Sequence, residues 1–151
     1  MEKILISACL VGDKTNYQGK SNYNPDIEKL LEKYELVPFC PEVEGGLSTP
    51  RTPSEIVNDK VINQKGIDVT KYFLAGAEKA YTICSYLGIK KVILKDNSPS
   101  CGVKHIYNGK FSHTLIKGKG ITAEYLSKKG ISLYTEEDIP NLLTEESNTN
   151  N

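Results

Sequence analysis

The chain has 151 residues, of which 38% are hydrophobic and 25% charged, and its nineteen basic side chains balance nineteen acidic ones. That length suits one domain able to bury roughly two-thirds of its unfolded surface, and a neutral balance gives no general attraction to nucleic acid. No apolar run approaches the ~20 residues of a bilayer span, and Ile4-Leu5-Ile6 is too short for a secretory signal. The expectation is a cytoplasmic protein without membrane or nucleic-acid partners.

In chain order, Ile4 to Ala8 reads as a buried strand that runs into Cys9-Leu10-Val11-Gly12. Asp13 to Asn24 is polar and reads as a loop. Asn24 is placed to cap a helix with Pro25 in its first turn, and Ile27, Leu30, Leu31 and Tyr34 carry the helical period to about Tyr34. Leu36 to Phe39 is a second strand, delivering Cys40. The segment from Pro41 to Pro53 holds three prolines and two glycines, a composition that predicts a long loop with no regular element. Loops of that length in compact domains are commonly functional.

Val61 to Val69 reads as extended, with Gly66 at a turn. Thr70 is the expected cap of a helix with apolar positions Phe73, Leu74, Ala77, Tyr81, Cys84 and Leu87, ended by Gly88. Lys91 to Leu94 is a third strand, and Lys95 to Gly102 a turn-rich loop containing Ser98-Pro99-Ser100-Cys101. Asn108-Gly109 marks a hairpin within Ile106 to Phe111. Ile121 to Lys129 reads as a helix, Ile131 to Tyr134 as a strand, and Glu136 to Leu143 as a last short helix.

Strands and helices therefore alternate. The implied fold is α/β: a single-domain three-layer sandwich over residues 1–143, its sheet mostly parallel and Rossmann-like with helices on both faces. A polar tail over 144–151 follows, disordered from Ser147 to Asn151. In such sheets ligands sit beyond the carboxyl ends of the strands. Cys9, Cys40 and Cys101 each fall there, after three different strands, whereas Cys84 lies on the apolar stripe of its helix and reads as core.

Four cysteines in a reducing compartment argue against a disulfide framework, and no close CxxC pair marks a zinc ribbon. Three thiols in one place suit iron–sulfur or zinc, and suit magnesium or calcium poorly. Zinc in a structural role wants a fourth ligand, for which His105 and His113 are the candidates. A cubane held by three cysteines leaves one iron open to a substrate sulfur. Residue chemistry leaves both open.

Several runs occur in order: Ser7-Ala8-Cys9-Leu10-Val11-Gly12, then Pro38-Phe39-Cys40-Pro41-Glu42-Val43-Glu44-Gly45-Gly46-Leu47, Pro50-Arg51, Ser98-Pro99-Ser100-Cys101-Gly102, Tyr107-Asn108-Gly109-Lys110-Phe111 and Gly118 to Ala123. Together they resemble the stand-alone thiouracil desulfidase (TudS-like) family, from Met1 to about Glu137. The resemblance implies a 4Fe–4S cluster on Cys9, Cys40 and Cys101, with one iron lacking a protein ligand. It implies acid–base work by Glu42 with help from Ser98. The expected reaction is a non-redox conversion of a small thiolated pyrimidine, thiouracil or its nucleotide, to the oxo form with release of sulfide. The rival is a non-catalytic module, either a redox sensor or a structural zinc protein with three cysteine ligands.

Other residues carry weaker expectations. Ser100 is placed to bond the pyrimidine edge or, in the preferred reading, to form the turn. Arg51 divides evenly between meeting a phosphate or substrate oxygen and tying down the proline-rich loop. Tyr17 and Tyr23 suit stacking on a base, with packing preferred, and His105 and His113 are expected at the surface or on the hairpin.

Overall fold

A computed structural model describes residues 1–144. Its centre is a four-stranded parallel sheet built from β1 (Glu2–Ser7), β2 (Tyr34–Phe39), β5 (Lys91–Leu94) and β8 (Ser132–Thr135), in the order β2-β1-β5-β8. Two antiparallel hairpins flank it, β3 (Ser54–Val57) with β4 (Lys60–Asn63) and β6 (His105–Tyr107) with β7 (Leu115–Lys117). The helices are α1 (Ile27–Leu30), α2 (Pro41–Glu44), α3 (Thr70–Leu87), α4 (Ile121–Lys128) and α5 (Ile139–Thr144), with 3-10 turns at Ala8–Val11 and Glu136–Asp138.

The period-2 alternation of the central strands sorts the apolar side chains between two faces. Leu5, Val92 and Leu94 join Ala80 and Cys84 of α3 and Ala123 and Leu126 of α4 in one core. Ile4, Ile6 and Ile93 join Leu10, Ile27 and Leu30, and Ile139 and Leu142 of α5, in the other. The sheet is thus covered on both faces, as an all-parallel sheet requires. Each such Leu or Ile contributes roughly 1.5–3 kcal/mol on burial.

The strand order also fixes where a ligand belongs. From β1 the chain passes by way of α1 to β2 on one side; from β5 it passes by way of α4 to β8 on the other. The connections leaving these two adjacent strands diverge, and a crevice opens at their carboxyl ends. Among the described residues no helix is long and apolar enough to cross a membrane.

Several elements differ from the sequence-based expectation. The first helix is short: Asn24 Oδ1 accepts from Asp26 N at 2.9 Å in a turn before α1, and Tyr34 is drawn into β2 opposite Glu2. The proline-rich segment does contain a regular element, since Pro41 occupies the first turn of α2, where a missing N–H costs nothing. It is followed directly by β3, whose hairpin turns on Asn58 and Asp59, both at positive φ (50° and 66°). Within the expected extended stretch, β4 ends at Asn63.

Thr70 is the first residue of α3 rather than its cap; Asp68 Oδ1 accepts from Thr70 N at 2.9 Å, while Thr70 Oγ1 accepts from Val61 N. Leu74 is exposed rather than on the buried stripe. In the second hairpin residues 108–114 form the connection, so Phe111 is a loop residue. Thr144 closes α5 instead of opening the tail, and the segment Ser147–Asn151 lies outside the described residues.

Candidate functional site

Each thiol reaches the crevice by its own local device. Beyond β1 the backbone tightens into a 3-10 turn carrying Cys9, ended by Gly12 at φ 104°. The following loop folds back on it, Asn22 N donating to Cys9 O at 2.9 Å. Cys40 is the extended residue at the start of α2. α2 is pinned against α3 through two glycines: a Cβ on Gly76 would lie 2.0 Å from Pro41 O, and one on Gly45 would lie 1.9 Å from Tyr72 O. No side chain fits at either position, and the close approach fixes the backbone on both sides of Glu42.

The Cys101 loop is organised by a buried carboxylate. Asp96 Oδ1 accepts from the backbone N–H of Asn97, Val103, Lys104 and His105 at 2.9, 2.9, 3.1 and 3.2 Å. Burial alone would push its pKa up, but these four donors hold it below the usual aspartate range. Inside the loop, Ser98 Oγ accepts from Ser100 N at 3.0 Å and Cys101 N at 2.9 Å.

The crevice is a cleft of about 330 Å³ lined by Cys9, Cys40 and Cys101 and by Glu42, Ser98, Ser100 and Arg51. All four cysteines are free thiols, and Cys84 stays in the α3 core as the sequence indicates. Burial raises the pKa of Cys9, with Cys40 adding to it and Asn22 and Lys95 opposing. Burial likewise raises Cys40, against the Val43 N–H and the Arg51 charge. Cys101 is pushed up furthest by its burial, with Cys40 and Glu42 adding to the effect. Cys40 thus acts electrostatically on both other thiols.

The donor set fits a soft, multiply charged group, which removes thiol protons on binding and compensates the buried thiolates. Among the described residues no three His, Cys, Asp or Glu side chains are grouped to hold a single metal ion. His105 leans towards Asp96 Oδ2, its Nδ1 at 3.7 Å, and lies outside the cleft lining, which His113 joins.

Glu42 is the hub of the polar wall. Its Oε1 accepts from Arg51 Nε at 3.0 Å; its Oε2 accepts from Ser100 Oγ at 2.8 Å and faces Ser98 Oγ at 3.4 Å. The ion pair is largely shielded from solvent, with side-chain exposures of 7% for Arg51 and 12% for Glu42. Arg51 Nη1 donates to Ser48 O and Thr49 Oγ1, and Nη2 donates to Thr15 O at 2.9 Å while lying 4.0 Å from Cys40 Sγ. The guanidinium fork is therefore committed within the protein.

Several cleft residues carry little signal in the sequence. Ser7 is buried, lines the cleft, and accepts from Lys95 N at 2.9 Å across the ends of β1 and β5. Its place as the last residue of the first strand was the available signal. Glu55, Tyr107 and Phe111 enter the lining from the hairpins, which periodicity alone does not bring to the sheet edge. Tyr17 lines the cleft and Tyr23 does not, although both are exposed.

A family model described as 2-thiouracil desulfurase matches residues 4–138. The Bacillus subtilis (strain 168) protein YbbK is 38% identical over 150 residues, covering 93% of this chain and 99% of that one. A solved structure of the 4Fe–4S-dependent thiouracil desulfidase TudS is 41% identical. It superposes with a TM-score of 0.89 over 94% of this chain and 95% of its own.

Proposed function

The chain belongs to the 2-thiouracil desulfurase family, and from that premise we propose that it replaces the sulfur of a thiolated pyrimidine by oxygen in a hydrolytic, non-redox reaction that releases sulfide. The substrate class is thiouracil or a thiouracil nucleotide, and the setting is the cytoplasm, where thiols stay reduced. Cys9, Cys40 and Cys101 hold a 4Fe–4S cluster with one iron free of protein ligands. When bound, the cluster supplies that iron as a Lewis acid for the thiocarbonyl sulfur.

The observation that carries this reading is the Glu42 carboxylate, fixed by Arg51 and Ser100 in the cleft that the three thiols line. Both its oxygens accept hydrogen bonds, which fix its orientation while leaving lone pairs on which a proton can land. Glu42 receives a proton from water as the water oxygen bonds to the thiocarbonyl carbon. That proton goes to the sulfur as the C–S bond breaks and hydrosulfide leaves. Glu42 then takes the remaining hydroxyl proton as the carbonyl forms and passes it on to the hydrosulfide. Water supplies the oxygen and both hydrogens, sulfide departs, and no electron is transferred. Ser100 keeps the carboxylate in register through the step, and Ser98 helps by holding Ser100.

The test is Glu42→Gln in anaerobically purified protein. Iron and acid-labile sulfide stay at parental levels, while sulfide release from 2-thiouracil or 4-thiouracil falls by about 10²–10⁴-fold. Retained turnover removes Glu42 from the mechanism. A parent protein that holds iron and releases no sulfide from either compound overturns the desulfidase assignment in favour of a non-catalytic cluster module.

A further inference from the structure

Glu55 is an acidic side chain buried to 8% exposure with no ion-pair partner among the described residues. A carboxylate in that position is costly unless its oxygens are hydrogen-bonded. Its Oε1 accepts from two backbone N–H groups of the β6–β7 connection, Gly109 at 2.8 Å and Phe111 at 3.2 Å. β3, which carries Glu55, packs beside β6, so the carboxylate ties one hairpin to the other.

The tied segment is held in an unfavourable shape. Phe111 has φ 53° and His113 has φ 58°, left-handed conformations that bulky residues seldom adopt. Such conformations persist where surrounding contacts over-determine them, and they gather at binding sites. Phe111 also lines the cleft that holds the thiols and Glu42. The thiols come from the sheet ends; Phe111 comes from the hairpin. A planar heteroaromatic ring placed in that cleft needs an apolar face to lie against, and an aromatic ring offers one.

Resting on the desulfidase reading, we propose that Phe111 is the specificity-determining stacking face for the pyrimidine ring and that Glu55 is the positioning residue that presents it. Glu55 acts only through the loop. Phe111 acts on binding of the ring, and neither moves a proton.

The experiment uses cluster-loaded protein and 4-thiouracil. Phe111→Ala raises KM about tenfold, the loss of one stacking face, while kcat stays within about twofold. Glu55→Ala gives the same split, and the double variant is no worse than the stronger single one, because both remove one interaction. Glu55→Gln, which keeps an accepting oxygen, stays near the parent. KM values unmoved in Phe111→Ala, or effects of the two positions that multiply, overturn the proposal.

The chain contains no tryptophan, so Phe111→Trp adds a single reporter that reads binding without turnover and does not depend on the alanine variants folding. Saturable change of its emission with 4-thiouracil supports the stacking face even if the parent releases no sulfide, in which case only the desulfidase reading fails. Normal turnover with unchanged emission overturns the stacking face alone; neither turnover nor an emission change overturns both.

Discussion

Ser98 Oγ and Ser100 Oγ stand 2.9 Å apart but serve different partners. Ser98 Oγ accepts the backbone N–H groups of Ser100 and Cys101, and Ser100 Oγ lies 2.8 Å from Glu42 Oε2. Each hydroxyl has one proton to give. Giving Ser98's to Ser100 and Ser100's to Glu42 leaves every donor with its nearer acceptor.

The two serines therefore separate on substitution. Ser98→Ala strips two loop N–H groups of their acceptor, and we expect it to lower cluster content and cost about 1–3 kcal/mol of stability. Ser100→Ala removes the short bond to Glu42, so turnover falls while iron stays bound. Iron analysis beside steady-state rates distinguishes them; the reverse pattern would exchange their roles.

With its donors committed, Arg51 has little left to offer a phosphate. Arg51→Ala should lower kcat for a thiolated nucleotide and for its free base by similar factors, leaving their KM ratio unchanged. Arg51→Lys should rescue poorly, because one ammonium cannot span Glu42, Thr49 and Thr15 as the fork does. A selective KM rise for the nucleotide would instead restore a substrate-binding role.

Asp96 makes the Cys101 loop sensitive to acid. Its folded-state pKa is depressed, so its stabilisation is fully present above the ordinary aspartate range and is lost as pH falls through the lower folded value. Asp96→Asn should destabilise the protein by about 1–2 kcal/mol at neutral pH. The gap from the parent, measured by denaturant titration, should close in strong acid. A gap independent of pH would mean that shape alone accounts for the loop.

Cys84 provides the contrast among the cysteines. Burial in the α3 core pushes its thiol up to about 11, so it should resist alkylation in the folded protein at neutral pH. Cys84→Ser should cost about 1–3 kcal/mol by placing a hydroxyl in an apolar site, with no loss of iron. Loss of iron without unfolding would reopen its place outside the site.

Much of this was written in local pattern. Three apolar runs ending in Cys9, near Cys40 and before Cys101 mark the strands and the end of the sheet where the thiols gather. The α3 stripe is legible because Phe73, Ala77 and Cys84 keep the helical period. Tertiary forces decided the rest. Tyr34 has a helical period yet pairs with Glu2 in the sheet, and Pro41 counts as a breaker only away from a first helical turn. Asn58-Asp59 did carry a turn signal, since both residues tolerate positive φ. The relative placement of Ser98 and Ser100 was hidden, because one residue of spacing in a turn does not say which hydroxyl faces inward.

The thiols at Cys9, Cys40 and Cys101 hang from β1, β2 and β5, strands joined by register rather than by closeness along the chain. No contiguous fragment presents all three. A group that engages them together recognises only the assembled sheet, so its affinity is thermodynamically linked to folding. Weakening the β1–β5 seam, even far from any sulfur, should loosen the cofactor, and a loaded cofactor should in turn raise the melting point of that seam.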